Sequence, residues 1–354
     1  MWLSVSGSWS CSPSSRSLFC GCPIRCRKRG GAPASKGAAL HNALRNLAMW
    51  KICSCCSLPD FVSALFREEF DFIQCASLAD VFGRGGDADV LLISVETRLD
   101  AEAIDRLPET VKVVATYSVG TDHIDLEALA RRDIAFLSTP DVLSASVAET
   151  AVFLALGAAR RATESIELIR SGNWSGWTPR QLIGTELASK AAGIIGMGRI
   201  GREIAARLRG LGMTVAYHNR RPLEASLEAG AQFHAELDTL LQQADLVVLC
   251  CPSNESTRYM INGDRIGQMK SGALLVNVAR GNIIEDNALI EALQAGRIGG
   301  AGLDVFDREP DFDRRYLQLP NAFILPHIGS STIEARTRMG AILRDGLVEL
   351  SRGR

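Results

Sequence analysis

From Trp50 onward, short apolar runs alternate with stretches in which apolar residues recur at helical spacing. The runs at 51–55, 90–94, 113–116 and 134–138 predict strands, and the segments 59–69, 101–106 and 126–132 predict the helices between them. Strict alternation of β and α argues for a parallel sheet covered by helices on both faces. An alanine-rich stretch, 142–170, predicts a long helix broken only at Gly157 and long enough to connect two domains. After a polar loop over 172–180 a second series begins, with strands at 194–195, 215–218, 246–250, 274–278 and 302–306, closed by 323–325. The tail 332–350 is helical again and is expected to return to the first unit. Pro140 and Pro326 are candidate hinges, so the unit 142–327 reads as inserted into one made of 49–141 and 328–354. A ligand is expected in the cleft between them.

The second unit opens on a strand, a glycine turn and a helix. Gly196, Gly198 and Gly201, with Met197, Arg199 and Ile200 between them, follow an apolar run, and Ile204, Leu208 and Leu211 then repeat at helical spacing. In a dinucleotide site the first glycine makes the tight turn, the second admits backbone to the pyrophosphate, and the third lets helix and strand pack closely. The phosphates then sit on the amides of the helix N-terminus. The pattern predicts an α/β fold of two Rossmann-like or flavodoxin-like parallel-sheet domains, with the dinucleotide domain at 142–327 and the substrate domain around it.

The residue that ends the following strand chooses the cofactor. NAD sites place a carboxylate about 20 residues beyond the glycines, on the ribose 2′-hydroxyl, whereas NADP sites place Arg there. This chain has Asn219, Arg220 and Arg221 and no acid. Two guanidiniums suit a phosphate dianion, so NADP(H) is expected, with NAD(H) the weaker alternative. The other reading of Arg220-Arg221-Pro222 is a solvated turn.

Composition adds exclusions. With 47% hydrophobic residues, 22% charged and a net charge of −1, nothing favours a nucleic-acid or membrane partner. Residues 1–48 differ: they are Ser-, Arg- and Gly-rich, and the first acid of the chain is Asp60. They read either as a transit peptide or as sequence upstream of a true start at Met49, and are expected to be poorly ordered. Eight of the ten cysteines lie at or before Cys75, and Cys20, Cys22 and Cys26 complete no zinc spacing. No metal is expected, and the cysteines read as free thiols of a reducing compartment, the cytoplasm.

With five histidines, elimination is possible. His41 lies in the leader, His218 ends a strand, His234 lies in a polar stretch, and His123 sits between Asp122 and Asp125. His327 follows the apolar run 322–325 and Pro326 and precedes Gly329, which places it where a cleft opens. Hydride transfer to a ketone leaves an alkoxide that needs a proton, and imidazole suits that exchange near neutral pH. Asp304 and Glu309 are both candidates for the carboxylate that orients it, and the residues leave that choice open. Arg280, at a strand end before Gly281, fits a substrate carboxylate; Ser118, Val119 and Gly120 offer backbone amides for it.

The ordered motifs S-V-G-T-D-H-I-D, T-P-D-V-L, G-I-I-G-M-G-R-I-G, L-V-V-L-C-C-P, V-N-V-A-R-G, G-L-D-V-F-D-R-E-P and L-P-H-I-G-S resemble the D-isomer-specific 2-hydroxyacid dehydrogenase family. The segment Tyr217-His218-Asn219-Arg220-Arg221 resembles its NADPH-preferring glyoxylate/hydroxypyruvate reductase branch. The resemblance runs from about Lys51 to about Leu350 and implies an enzyme reducing small 2-oxo acids. It implies Arg280, Glu309 and His327 as the catalytic set, Asp304 facing the nicotinamide carboxamide, and Cys251, Pro252, Thr257, Val278 and Ala279 lining the cofactor. A two-fold homodimer built on the long helix and the loop carrying Trp174 and Trp177 is also implied. The family includes dehydrogenases for bulkier or phosphorylated 2-oxo acids and dinucleotide-responsive corepressors, so the motifs alone leave those alternatives open. Two departures stand out: Val147 takes a position where some relatives carry Thr, so no cofactor hydroxyl is expected there, and family members usually extend beyond the equivalent of Arg354.

Overall fold

The computed structural model describes residues 49–83 and 86–353. The expectations for residues 1–48, including those for His41 and the four cysteines there, lie outside the described residues. Strands β1 (Lys51–Ser54), β2 (Asp71–Gln74), β3 (Val90–Ile93), β4 (Val113–Thr116) and β5 (Ala135–Leu137) form a parallel sheet in the order β2-β1-β3-β4-β5. This is the flavodoxin-like order. Strand period divides its core in two. Ile52, Val90, Leu92 and Val113 face one way, onto Val62 and Phe66 of the helix Asp60–Arg67 and onto Met339, Leu343 and Leu347 of the C-terminal helix Ile333–Arg352. Cys53, Leu91, Ile93 and Val114 face the other, onto Ile104 and Leu129. Thr332 caps the C-terminal helix, its Oγ1 accepting from the Ala335 amide at 3.2 Å.

The second sheet contains β6 (Ala191–Ile195), β7 (Thr214–His218), β8 (Gln232–Phe233), β9 (Leu246–Leu249), β10 (Leu274–Asn277), β11 (Gly300–Leu303) and β12 (Ala322–Ile324). All are parallel, in the order β12-β11-β10-β9-β6-β7-β8. The chain winds outward from β6 and then restarts beside it at β9, and that reversal opens a crevice at the carboxyl ends of β6 and β9. The two-sheet α/β architecture agrees with the fold class read from the alternating pattern.

Three details differ from the sequence expectation. The long helical stretch is two helices, Ser144–Ala159 and Ala162–Arg170, and the break lies at Arg160–Arg161 rather than at Gly157. Arg161 is left-handed (φ 54°) and clasps Glu164 through Nε at 2.7 Å and Nη2 at 2.6 Å. Gly157 stays helical and serves packing, because a Cβ there would stand 2.1 Å from the Phe323 ring. Edge strands β2 and β8 were not anticipated. Finally, β11 ends at Leu303, so residues 304–306, expected within a strand, already lie beyond the sheet.

Among the described residues no helix is long and apolar enough to cross a membrane, and the six described cysteines are free thiols.

Candidate active site

Strands β10, β11 and β12 are neighbours in register, Asn277 beside Leu303 and Leu303 beside Ile324. Arg280, Asp304, Glu309 and His327 each follow one of these strand ends, so parallel pairing alone gathers them on one edge. Asn277, fully buried, shapes the first turn: its Nδ2 donates to the Arg280 carbonyl at 2.9 Å, and its Oδ1 accepts from the Ala279 amide at 2.9 Å.

His327 Nδ1 lies 2.7 Å from Glu309 Oε2, and Glu309 Oε1 accepts from the Phe306 amide at 2.7 Å. The structure thereby separates the two acids that the sequence left open. Asp304, buried, has Oδ1 accepting from the Ile328 amide and Oδ2 from the Gly329 amide, each at 2.7 Å. It holds the turn in which His327 takes its left-handed backbone (φ 55°). Nε2 of His327 has no hydrogen-bond partner among the described residues, and the side chain is 39% exposed.

Charge tunes the pair. The hydrogen bond and charge of Glu309 hold the His327 pKa above its ordinary value, against burial and the nearby Arg280 charge. Burial pushes Glu309 up, but the hydrogen bonds from His327 and Phe306, with the charges of His327 and Arg280, leave it below the ordinary carboxylate range. Burial is also the main cause of the raised pKa of Asp304, only partly offset by the two amides it accepts from. Arg280 therefore sits within electrostatic reach of both members of the pair.

Arg280 also meets the first sheet's loops. Its Nε donates to Asp122 Oδ2 at 3.2 Å, its Nη2 to Asp122 Oδ1 at 3.1 Å, and its Nη1 to the Ala279 carbonyl at 2.7 Å. Gly120, which follows Ser118 and Val119 in the same loop, lies against it. The Ser118 hydroxyl is spent on the Gly120 carbonyl at 2.8 Å, whereas the amides of Val119 and Gly120 have no partner among the described residues.

At the crevice between β6 and β9, Gly196 has φ 100°, and a Cβ on it would stand 2.6 Å from the Cys251 nitrogen. Cys250 Sγ donates to the Gly196 carbonyl at 3.0 Å, and the Met197 amide donates to Asn219 Oδ1 at 2.7 Å. Gly198 is the N-cap of the helix Arg199–Gly210 and offers no capping side chain, and no heavy atom lies within 4 Å of where its Cβ would be. A turn closed at Gly196 and open at Gly198, ahead of uncapped first-turn amides, fits a pyrophosphate. Arg199 forms an ion pair with Asp141; Ile200 and Gly201 stand in the first turn of the helix. Arg220 and Arg221 are exposed and make no ion pair among the described residues. Pro252 and Thr257 form a self-bonded loop past β9, Thr257 Oγ1 donating to the Pro252 carbonyl at 2.9 Å. Val278 and Ala279 precede Arg280 in the turn that Asn277 holds.

Sequence reasoning passed over Asp122, Asn277 and Asp141. Asn277 had left a trace, a polar residue in an otherwise apolar run. The other two are polar loop residues whose partners lie far along the chain.

A family model described as D-isomer specific 2-hydroxyacid dehydrogenase, NAD binding domain, matches residues 152–329. The chain is 39% identical over 289 residues to a glycerate dehydrogenase of Hyphomicrobium methylovorum, covering 80% of this chain and 90% of that one. It is 42% identical over 272 residues to a glyoxylate reductase of Thermococcus kodakarensis, covering 75% and 81%. Among solved structures it resembles an NADPH-dependent glyoxylate/hydroxypyruvate reductase of Sinorhizobium meliloti in complex with NADP and malonate, with a TM-score of 0.77, 32% identity and coverage of 85% and 93%.

Proposed function

The chain belongs to the D-isomer-specific 2-hydroxyacid dehydrogenase family, and from that premise we propose that it reduces glyoxylate and hydroxypyruvate to D-2-hydroxy acids with NADPH. The observation that carries this reading is the His327–Glu309 contact at 2.7 Å, with Nε2 free and Arg280 in electrostatic reach. A nicotinamide dinucleotide, when bound, supplies the hydride. His327 Nε2 gives its proton to the carbonyl oxygen of the 2-oxo acid. Glu309 fixes the ring by its far nitrogen and stabilises the imidazolium before transfer. Arg280 binds the carboxylate and the carbonyl oxygen, lowering the cost of charge that develops there.

The turn from Gly196 to Gly201 would hold the pyrophosphate, and Arg220 and Arg221 the 2′-phosphate. Cys251, Pro252, Thr257, Val278 and Ala279 would line the remainder. Residues 142–327 serve as the cofactor domain and 49–141 with 328–354 as the substrate domain of a cytoplasmic homodimer. The name of the Hyphomicrobium relative points to the same chemistry in reverse, since oxidising glycerate at its 2-hydroxyl gives hydroxypyruvate.

The test is a panel of 2-oxo acids followed by reduced-nicotinamide absorbance, with NADPH and NADH in parallel. Turnover should be highest with glyoxylate or hydroxypyruvate and NADPH. Preference for an aryl or phosphorylated acid would replace the substrate assignment, and a higher kcat/KM with NADH would replace the cofactor assignment.

A further inference from the structure

Arg280 and Asp122 are 158 residues apart in sequence, and their ion pair joins a loop of the second sheet to a loop of the first. A guanidinium has five N–H donors in a fixed fork. Here Nε and one N–H of Nη2 go to the two oxygens of Asp122, and one N–H of Nη1 goes to the Ala279 carbonyl. One N–H on Nη1 and one on Nη2 remain, which is the pair that a substrate carboxylate and its neighbouring carbonyl oxygen require.

The loop that carries Asp122 is tied by side-chain hydrogen bonds. Thr116 Oγ1 lies 3.0 Å from His123 Nε2 and 2.8 Å from Ser118 Oγ, and Ser118 in turn holds the Gly120 carbonyl at 2.8 Å. Gly120 lets the guanidinium lie against this loop, since a Cβ there would come within 1.9 Å of Arg280 Nη2. Burial pushes the Asp122 carboxyl up, but the hydrogen bond and charge of Arg280 hold it below the ordinary range, so it is ionised near neutral pH. Both partners are partly exposed, and a pair so placed contributes little to stability. Its geometric consequence is the larger one.

We propose that Asp122 is the positioning residue of the substrate clamp, chelating one edge of Arg280 across the cleft so that the other edge is presented to the 2-oxo acid. The clamp is then complete only when the loops of the two sheets meet. The proposal rests on the assignment of Arg280 to the substrate carboxylate, and the variants below separate the two.

The experiment compares Asp122→Asn, Asp122→Ala, Arg280→Ala and the Asp122→Ala/Arg280→Ala double variant. KM for glyoxylate, KM for NADPH, kcat and Tm are measured for each, with the Kd of oxalate on the NADPH-loaded protein. Losing a charge-assisted hydrogen-bond partner should raise the glyoxylate KM and the oxalate Kd of Asp122→Ala about tenfold or more. Asp122→Asn, which keeps one acceptor, should fall between it and the parent, with NADPH KM and Tm unmoved. In the Arg280→Ala background, removal of Asp122 should add nothing. A lowered glyoxylate KM would mean that Asp122 competes with substrate for the guanidinium, and parallel changes in both KM values would mean a general staple between the loops. Either overturns the proposal. If Arg280→Ala itself leaves the glyoxylate KM unchanged, the clamp assignment fails first.

Discussion

At His327 the direction of proton transfer is decided by which nitrogen is engaged. Nδ1 is held by Glu309, so in the proposed reaction the proton leaves from Nε2, and Glu309 raises the pKa by favouring the charged ring. Reduction needs the imidazolium, so kcat/KM for a 2-oxo acid should fall as pH rises through that raised pKa. Glu309→Gln removes the raising charge, so the falling limb should move to lower pH and kcat should drop; a limb that stays in place in the pH–rate profile would show that another group titrates. His327→Ala should lower kcat by about 10²–10⁴ while leaving NADPH binding by fluorescence titration nearly intact. Arg220→Ala with Arg221→Ala should raise KM for NADPH about tenfold or more, from lost charge-assisted contacts, and leave KM for NADH little changed. Arg280 and His327 were legible from sequence because each follows an apolar run and precedes a glycine turn. Asp304 was not separable from Glu309 that way. Both are acids just past the same strand, and only the amides of Ile328 and Gly329, arriving from 24 and 25 residues away, show which of them supports the backbone instead of the ring.

At the scale of elements, legibility followed burial. Strands buried on both faces, such as β3 and β4, declare themselves as apolar runs. The edges do not: β2 reads Asp-Phe-Ile-Gln with both ends exposed, and β8 has two residues, too few to establish a period. The helix break at Arg161 was hidden because an arginine, not a glycine, takes the left-handed position there. The Arg280–Asp122 contact could not be read at all, since it depends on how two loops from different sheets meet. The C-terminal helix is the clearest long-range success. Its apolar stripe closes one face of the first sheet, with Leu343 fully buried against that core. Leu343→Ala should therefore cost ~2–5 kcal/mol by denaturant unfolding, with the transition moving to lower denaturant and its slope unchanged. A cost near zero would mean that the helix can leave the sheet without penalty.

Over the whole molecule, a set of apolar side chains outside the candidate site is exposed on and after the helix Ala162–Arg170. Ile169, in the helix Ala162–Arg170, is 59% exposed, and Trp177 and Ile183, in the loop that follows it, are 81% and 68% exposed. Leu317, across a groove from that helix, is 58% exposed. Apolar side chains exposed together at this density mark an association surface. The family resemblance suggests a second copy as the occupant, and a closed two-fold contact uses one patch on both partners. Wild-type protein should then sediment as a dimer at micromolar concentration, and Trp177→Ser with Ile183→Ser should halve the sedimenting mass. Arg280, Glu309, His327 and Asp122 all come from one chain, so the dissociated variant should keep its kcat per protomer even as its Tm falls. Loss of turnover in step with dissociation would show that the partner contributes to the cleft, and a wild type that sediments as a monomer would leave Trp177 and Ile183 to some other surface.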